Sequence, residues 1–451
     1  MSFFWVLFFS YGHFYNMLRD ICFSVNGFNI GPNKMITFGS ILVFLSAFRA
    51  VKTHKNLHIF TNFLNIVASS LVLFSLCNIG LYQTKRVHLQ EGKRRTETID
   101  YLGKPVNLPN IYYIILDAYA NASILEEIYH FDNTKFMNYL TQKGFYIADK
   151  SKSNYHITSL SLESSLNFEY LNHQDPTQNR FLNNRAFDLL RKLGYKTAVI
   201  TSWNWALDIP KADFRLTYTT WGAFQNQLMN YTPIPLLLKK IDLPGGDQYS
   251  IHRKKINFVF DTLADTTKWR APFVVYAHVM LPHPPFVFGP NGEKIQPNRR
   301  KFGIQDGEEF IAAGGTRDEY VENYQGQVEY ANKRVIALVD YLLSTTKEPP
   351  IIILQGDHGP RSLADWSNLD KTYWKECLSI LNAYYLPGKS AKGLYQSISP
   401  VNTFRLICNL YFDTNYDILK DKSYFLGQKK PYKVIDVTDR VNTDPDTERL
   451  K

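Results

Sequence analysis

From residue 109 onward, short apolar and β-branched runs alternate with stretches of helical period. The runs are IYYIILD (111–117), KTAVIT (196–201), FVVYAHV (273–279), PIIIL (350–354) and CLSILNAYYL (377–386). Between them, helical patterns lie near 133–143, 182–193, 254–265, 319–345 and 400–411. A strand with one wet face alternates apolar and polar residues. These runs are continuous instead, as in strands buried on both faces. The pattern predicts an α/β fold, an α/β/α sandwich built on a largely parallel central sheet.

The first 83 residues read differently. Residues 60–82 form 23 positions without a charge, long enough for a helix of about 20 residues to cross a bilayer. A second apolar segment, 35–51, begins beside Lys34 and carries Arg49 near its end, basic side chains that snorkel. Residues 1–18 are aromatic and uncharged, without the positive start of a secretory signal, and read as a further span. The expected organisation is a multi-pass transmembrane region over 1–83, a polar linker over 84–108, a catalytic domain over 109–430 and a polar tail over 431–451.

Charge sharpens this division. The chain carries a net charge of +10, and residues 1–100 hold ten Lys/Arg against four Asp/Glu. The remainder is nearly neutral, so the folded part lacks the basic stripe of a nucleic-acid binder. RAVKTHK (49–55), between the second and third spans, has three basic residues and no acid. The positive-inside rule places that turn in the cytoplasm and sends the third span outward. Lys85, Arg86, Lys93, Arg94 and Arg95 pull the other way. The reading adopted puts the domain on the periplasmic or extracellular side. Aromatic residues make up 15%, which suits membrane interfaces and sugar clefts but equally a large core. The four cysteines, Cys22, Cys77, Cys377 and Cys408, form no zinc-type spacing.

Three strand ends carry candidate chemistry. The first run ends at Asp117, and the 350s run leads into Gly356-Asp357-His358-Gly359. Ligands gather at the carboxyl ends of strands in open α/β sheets, although an Asp after a strand also serves as a turn or cap. Gly356 and Gly359 permit tight turns and close backbone approach. SNYHITSLSLESSLN (153–167) becomes helical near Thr158. A hydroxyl there is either an N-cap or a nucleophile steadied by free N–H groups and the helix dipole. HVMLPHPPFVFGPNGE (278–293) sets His278 and His283 among four prolines after a strand. There a histidine is either structural or contacts substrate oxygens and moves a proton.

The order strand-Asp117, Thr158 at a helix start, His-Pro-Pro and Gly-Asp-His-Gly resembles the alkaline phosphatase/sulfatase superfamily. The likeness is strongest to its membrane-anchored branch of lipoteichoic acid synthases and phosphoethanolamine transferases. FFSYGHFYN (8–16), SSLNFEYL (164–171) and VNTFRLICNLYF (401–412) are similar to bacterial envelope proteins of this type. The resemblance implies an alkaline phosphatase-like sandwich and one divalent metal ion, manganese, magnesium or zinc. Asp117, Thr158, Asp357 and His358 would hold the metal, with Thr158 as the nucleophile that becomes covalently modified. His283, His278, Arg361 and Trp203 would line the substrate site. Beside the nucleophile, His156 and Glu163 stand as further ligand candidates, Glu163 read as solvated helix surface. The partners implied are membrane lipids or a lipid-linked phosphate donor and an envelope polysaccharide acceptor at the inner membrane. No Cys or Ser begins the C/S-x-P-x-R signature of formylglycine sulfatases. That sets aside a formylglycine sulfatase, and the resemblance together with the expected membrane anchor implies transfer of a phosphoglycerol- or phosphoethanolamine-type group through a phospho-threonine. The alternatives are a phosphate or sulfate ester hydrolase of the same fold and a catalytically silent envelope scaffold.

Overall fold

The structure, a computed structural model, describes residues 23–25, 28–30, 32–53, 108–171, 183–202, 211–218, 248–270, 272–295, 306–389, 393–427 and 434–442, with a few isolated positions besides. The chain divides into two compact units, Met1–Ile99 with Thr219–Gly246, and Asp100–Tyr218 with Asp247–Lys451.

In the first unit, β1 (Phe23–Val25) and β2 (Phe28–Ile30) pair antiparallel and are followed by α1 (Pro32–Thr53). Helix α1 covers the expected second span, 35–51. Among the described residues, however, no helix is long and apolar enough to cross a membrane. Helix α1 is 22 residues long, but Lys34, Arg49 and Lys52 place charge towards both of its ends. The uncharged stretch inside α1 runs only from Met35 to Phe48, which as a helix rises about 21 Å against a hydrocarbon core of about 30 Å. The expected spans 1–18 and 60–82 and the linker 84–108 fall almost wholly outside the described residues.

The second unit runs β3 (Ile111–Leu116), α2 (Ala122–Glu127), α3 (Thr134–Gln142), β4 (Tyr146–Ile147), α4 (Thr158–Asn167), α5 (Arg185–Lys192), β5 (Lys196–Thr201), β6 (Phe214–Thr217), α6 (Gln248–Asp265), β7 (Phe273–Val279), α7 (Glu308–Ala312), α8 (Arg317–Thr345), β8 (Ile351–Gly356), α9 (Trp374–Leu378), β9 (Asn382–Tyr385), α10 (Pro400–Tyr411), β10 (Tyr424–Leu426), β11 (Val434–Asp436) and α11 (Thr438–Asn442). Seven strands form one sheet in the order β4-β9-β8-β3-β7-β5-β6. The five strands from β8 to β6 are parallel, while β9 and β4 close one edge antiparallel. Every residue of β3, β7 and β8 is buried, as their unbroken apolar runs require.

Alternation along the strands divides the core. Tyr112, Ile114, Leu116, Ile352 and Leu354 join one large cluster with residues of α3, α6 and α8. On the opposite face, Tyr113 meets Phe404 of α10 edge to face at 5.1 Å between ring centroids. Helix starts follow capping chemistry. The Thr316 side chain accepts from the Glu319 N–H at the head of α8, and Asn121 and Asn184 do the same for α2 and α5.

Two expectations need correction. Residues 377–386, read as one β-rich run, divide into the end of α9 and the strand β9. A short apolar stretch has no period long enough to separate buried helix from strand. The tail expected over 431–451 is folded in part. Strand β11 pairs antiparallel with β10, and Val437 and Val441 pack with Trp374, Cys377 and Phe425.

The glycines of Gly-Asp-His-Gly matter for close approach, since neither is among the positive-φ residues. A Cβ on Gly356 would stand 2.5 Å from the Tyr119 carbonyl oxygen, and one on Gly359 would overlap the Glu376 carbonyl. Both obstacles are backbone, which cannot rotate away. Gly359→Ala is expected to cost on the order of 3 kcal/mol or more, read as a lowered denaturation midpoint at unchanged slope.

Candidate metal centre

The central strands deliver their ends to one rim. Asp117 follows β3, Asp357 and His358 follow β8, and His278 lies in β7 before the His-Pro-Pro loop. Backbone bonds stitch the rim together. The Asp117 N–H donates to the Val279 carbonyl and the His283 N–H to the Asp117 carbonyl, both at 3.0 Å. The Ala118 N–H donates to Asp357 Oδ1 at 3.1 Å, tying the ends of β3 and β8. The peptide bonds Leu281–Pro282 and Pro284–Pro285, on either side of His283, are cis.

Burial and tautomer decide what this cluster can bind. Asp117, His278, His283, Asp357 and His358 are all buried. His358 Nδ1 lies 2.8 Å from the Gly359 carbonyl. A carbonyl only accepts, so Nδ1 carries the proton. Burial, followed by the Arg361 charge, lowers the His358 pKa despite Asp357 and Asp117, so the ring is neutral and Nε2 presents its lone pair. That atom stands 3.5 Å from Asp117 Oδ1 and 3.6 Å from Asp357 Oδ2. Burial by itself would raise the Asp117 carboxyl. His283, His278 and His358 outweigh it and hold Asp117 well below the usual carboxylate range. His283 Nδ1 likewise donates to the Pro284 carbonyl.

Two carboxylates and an imidazole lone pair thus converge in a dry place. Asp117 Oδ1 and Asp357 Oδ2 have no hydrogen-bond partner. Such electron-rich atoms repel one another unless a cation lies among them. Asp117, His283 and His358 offer ligand atoms within 4.8 Å of one another, and so do Asp117, His278 and Asp357. The residues therefore fit a divalent metal, and mixed oxygen and nitrogen donors suit zinc or manganese.

Thr158 is the first residue of α4, after Ile157 at the N-cap position, and no side chain caps this helix. The hydroxyl instead lies 3.2 Å from His358 Nε2. The first N–H groups of an α-helix have no acceptor within it, so Thr158 stands at a positive helix end facing the carboxylate cluster. Arg361 reaches the same spot. Its Nη2 is 3.0 Å from His358 Nε2 and 2.5 Å from the His156 carbonyl.

Asp306 stands beside this arginine, and Glu376 holds the two residues that follow it. Asp306 Oδ2 lies 3.6 Å from both Arg361 Nη1 and His283 Nε2, while Oδ1 accepts from the Tyr320 hydroxyl and the Gly307 N–H. Glu376 accepts from the backbone N–H groups of Ser362 and Leu363 and from the hydroxyls of Ser362 and Tyr129. Burial raises the Glu376 carboxyl to about 7 against these hydrogen bonds.

The site residues read from the sequence fare unevenly. Asp117, Thr158, Asp357, His358 and Arg361 come together. His283 joins them and is also placed among the metal-type donors. His278, read as a substrate contact, is 1% exposed and has Nε2 3.3 Å from Asp117 Oδ2. It belongs with the carboxylates instead of the pocket surface, because β7 carries it inside the sheet. Trp203, two residues beyond β5, lies outside the described residues. Glu163, read as solvated, is 5% exposed. Asp306 and Glu376 were missed. Asp306 sits in a polar Asp-Gly pair that reads as a surface turn, and nothing in the sequence marks Glu376 as buried.

His156 gives a test of burial. Its ring lies 4.6 Å from that of Phe425 and 5.2 Å from that of Trp366. Burial, then the Arg361 charge, lowers its pKa well below 6.5. Unfolded, the ring takes a proton as pH falls through 6.5; folded, it stays neutral. The stability it contributes is complete above pH 6.5 and is lost as pH falls toward the lowered folded value. The difference in unfolding free energy between wild type and His156→Gln should shrink by about 1.4 kcal/mol per pH unit through that interval. Denaturant titrations between pH 7 and pH 5 measure it.

The sequence pattern of the Sulfatase family matches residues 109–397. No curated protein matches the chain. Among solved structures, the chain is similar to the C-terminal periplasmic domain of EptC from Escherichia coli in complex with zinc, at 13% identity and a TM-score of 0.52 over 78% of this chain and 98% of that one. It is also similar to the C-terminal periplasmic domain of the phosphoethanolamine transferase EptC from Campylobacter jejuni, at 12% identity and 0.40 over 70% and 92%. A third is the phosphonate monoester hydrolase of Agrobacterium radiobacter, at 13% identity and 0.46 over 70% and 80%.

Proposed function

The chain belongs to the Sulfatase family, and from that premise we propose that it is a metal-dependent phospho-group transferase with Thr158 as nucleophile. The observation that carries this reading is the Thr158 hydroxyl, 3.2 Å from His358 Nε2 at an uncapped helix start. Asp117, Asp357 and His358 would hold the metal, with His278 and His283 as further donors beside them. When bound, the cation supplies Lewis-acid polarisation and lowers the pKa of a neighbouring hydroxyl.

The chain's own residues perform the transfer. The Thr158 oxygen attacks phosphorus of a phosphodiester donor, forming one O–P bond as the bond to the donor alcohol breaks. The departing alcohol leaves with the proton that Thr158 gives up. Arg361 and the N-terminal amides of α4 stabilise charge on the phosphoryl oxygens. His283 contacts a phosphoryl oxygen at the same rim. An acceptor hydroxyl then attacks the phospho-threonine, takes the group and returns a proton to Thr158. Two displacements replace one difficult step. Water as acceptor would make a hydrolase of the same site. Basic flanks in the first 100 residues favour a membrane-side setting, where lipid-borne donors of phosphoglycerol or phosphoethanolamine and envelope glycans meet.

Full-length protein incubated with Mn²⁺ and envelope lipids should carry an added mass on the peptide spanning residues 153–170, and that mass identifies the group. Release of free headgroup without any modified glycan would favour hydrolysis over transfer. No adduct and no turnover would leave the silent scaffold.

A further inference from the structure

A buried polar chain beneath the site joins the elements that carry it. The Tyr113 hydroxyl donates to Gln355 Oε1 at 2.6 Å and lies 2.8 Å from Ser165 Oγ. A phenol has one proton, and an amide oxygen only accepts. The Ser165 hydroxyl must therefore be the donor to Tyr113. Gln355 Nε2 in turn donates to Asn382 Oδ1 at 3.0 Å and Thr403 Oγ1 at 3.1 Å. Tyr113, Ser165, Gln355, Asn382 and Thr403 are all buried to 1% exposure or less.

The positions of these residues give the chain a meaning beyond packing. Tyr113 is on β3, four residues before Asp117 and on the same alternation. Gln355 is on β8, two residues before Asp357. Ser165 is seven residues after Thr158 on α4, about two turns, hence on the same helix face. A single hydroxyl thus touches the nucleophile's helix and both metal-bearing strands. Apolar contacts alone would let α4 slide or roll at low cost. A shift of one residue moves a helix by about 1.5 Å, enough to carry Thr158 out of reach of His358 Nε2. Moving α4 now strands a buried serine hydroxyl and takes from the Tyr113 oxygen the donor it accepts from, while Tyr113 stays bonded to Gln355.

We propose that Tyr113 is a positioning residue: its hydroxyl, held between Ser165 and Gln355, sets the reach of Thr158 from α4 to the cluster of Asp117, Asp357 and His358. The inference rests on Thr158 being the nucleophile. Metal binding itself does not need the clamp, since Asp357 is held by the Ala118 N–H and His358 by the Gly359 carbonyl.

The test is steady-state hydrolysis of bis(4-nitrophenyl) phosphate by the full-length protein with Mn²⁺, in wild type, Tyr113→Phe, Ser165→Ala and the double variant. Tyr113→Phe fills the same space. Its kcat should fall about tenfold or more from misplacement of the nucleophile, while KM and Mn²⁺ affinity stay unchanged. Ser165→Ala should lower kcat in the same way, and the double variant should be no worse than Tyr113→Phe alone. Wild-type kcat in folded Tyr113→Phe overturns the proposal, and so does a loss confined to KM or Mn²⁺ affinity, or full additivity. If Tyr113→Phe fails to fold, Ser165→Ala decides, because it leaves the Tyr113–Gln355 bond in place. Wild type without Thr158-dependent turnover overturns the site reading and this inference with it. Wild-type turnover matched by Tyr113→Phe removes the clamp alone.

Discussion

Thr158→Ala leaves a folded, metal-binding protein whose turnover is lower by on the order of 10⁴-fold or more, the scale seen when a covalent nucleophile is deleted. The stability side follows from geometry. Thr158 is half-buried and its hydroxyl caps nothing, so losing it costs little beyond about 0.5 kcal/mol, as at ordinary partly exposed positions. The activity side follows from what stands nearby: no other hydroxyl is placed on His358 Nε2 among the described residues. Thr158→Ser should restore part of the rate, since it keeps the oxygen and loses only the methyl that fixes its rotamer. The adduct on residues 153–170 should vanish in Thr158→Ala and return in Thr158→Ser. An alanine variant with wild-type turnover would transfer the chemistry elsewhere and end the phospho-threonine reading.

Chelation is expected to destabilise the purified protein, and saturating zinc or manganese to stabilise it by about 4 kcal/mol at a thousandfold excess over the dissociation constant. The same atoms explain the sign. Asp117 and Asp357 are buried beside the lone pair of His358, and their mutual repulsion is relieved when a cation binds. Asp357→Asn should abolish the metal response. It should also be at least as stable as wild type in chelator, because the amide oxygen still accepts from the Ala118 N–H while one buried charge is gone. Thermal unfolding of both proteins, with metal and with chelator, measures the four values. A wild type indifferent to chelator, with Asp357→Asn equally affected in both conditions, would support the scaffold instead.

Much of this was legible in the residue pattern. The runs 196–201 and 273–279 are strands over those same residues, and 400–411 is a helix. Strands buried on both faces announce themselves as unbroken apolar runs, and long helices by their period. The ligand-type residues at the ends of β3 and β8 were visible because strand ends are where an α/β sheet exposes polar groups.

Other features had no local signature. The antiparallel edge β9 and the folded piece of the tail depend on partners distant in sequence. Asp306 drew no notice in the sequence, and Glu163 read as helix surface. Both are buried, and burial is a property of what packs against a residue, which its neighbours in sequence do not report.

By itself, then, the chain's pattern determined the sheet, its main helices and the residue types able to bind a cation and carry a nucleophile, since these follow from periodicity and strand-end chemistry. Only the tertiary structure decided that they meet. It set the protonated nitrogen of His358, the 3.2 Å reach of Thr158 and the support from Asp306, Glu376 and Tyr113. Those depend on distances between segments far apart in sequence, set by how sheet and helices pack in three dimensions.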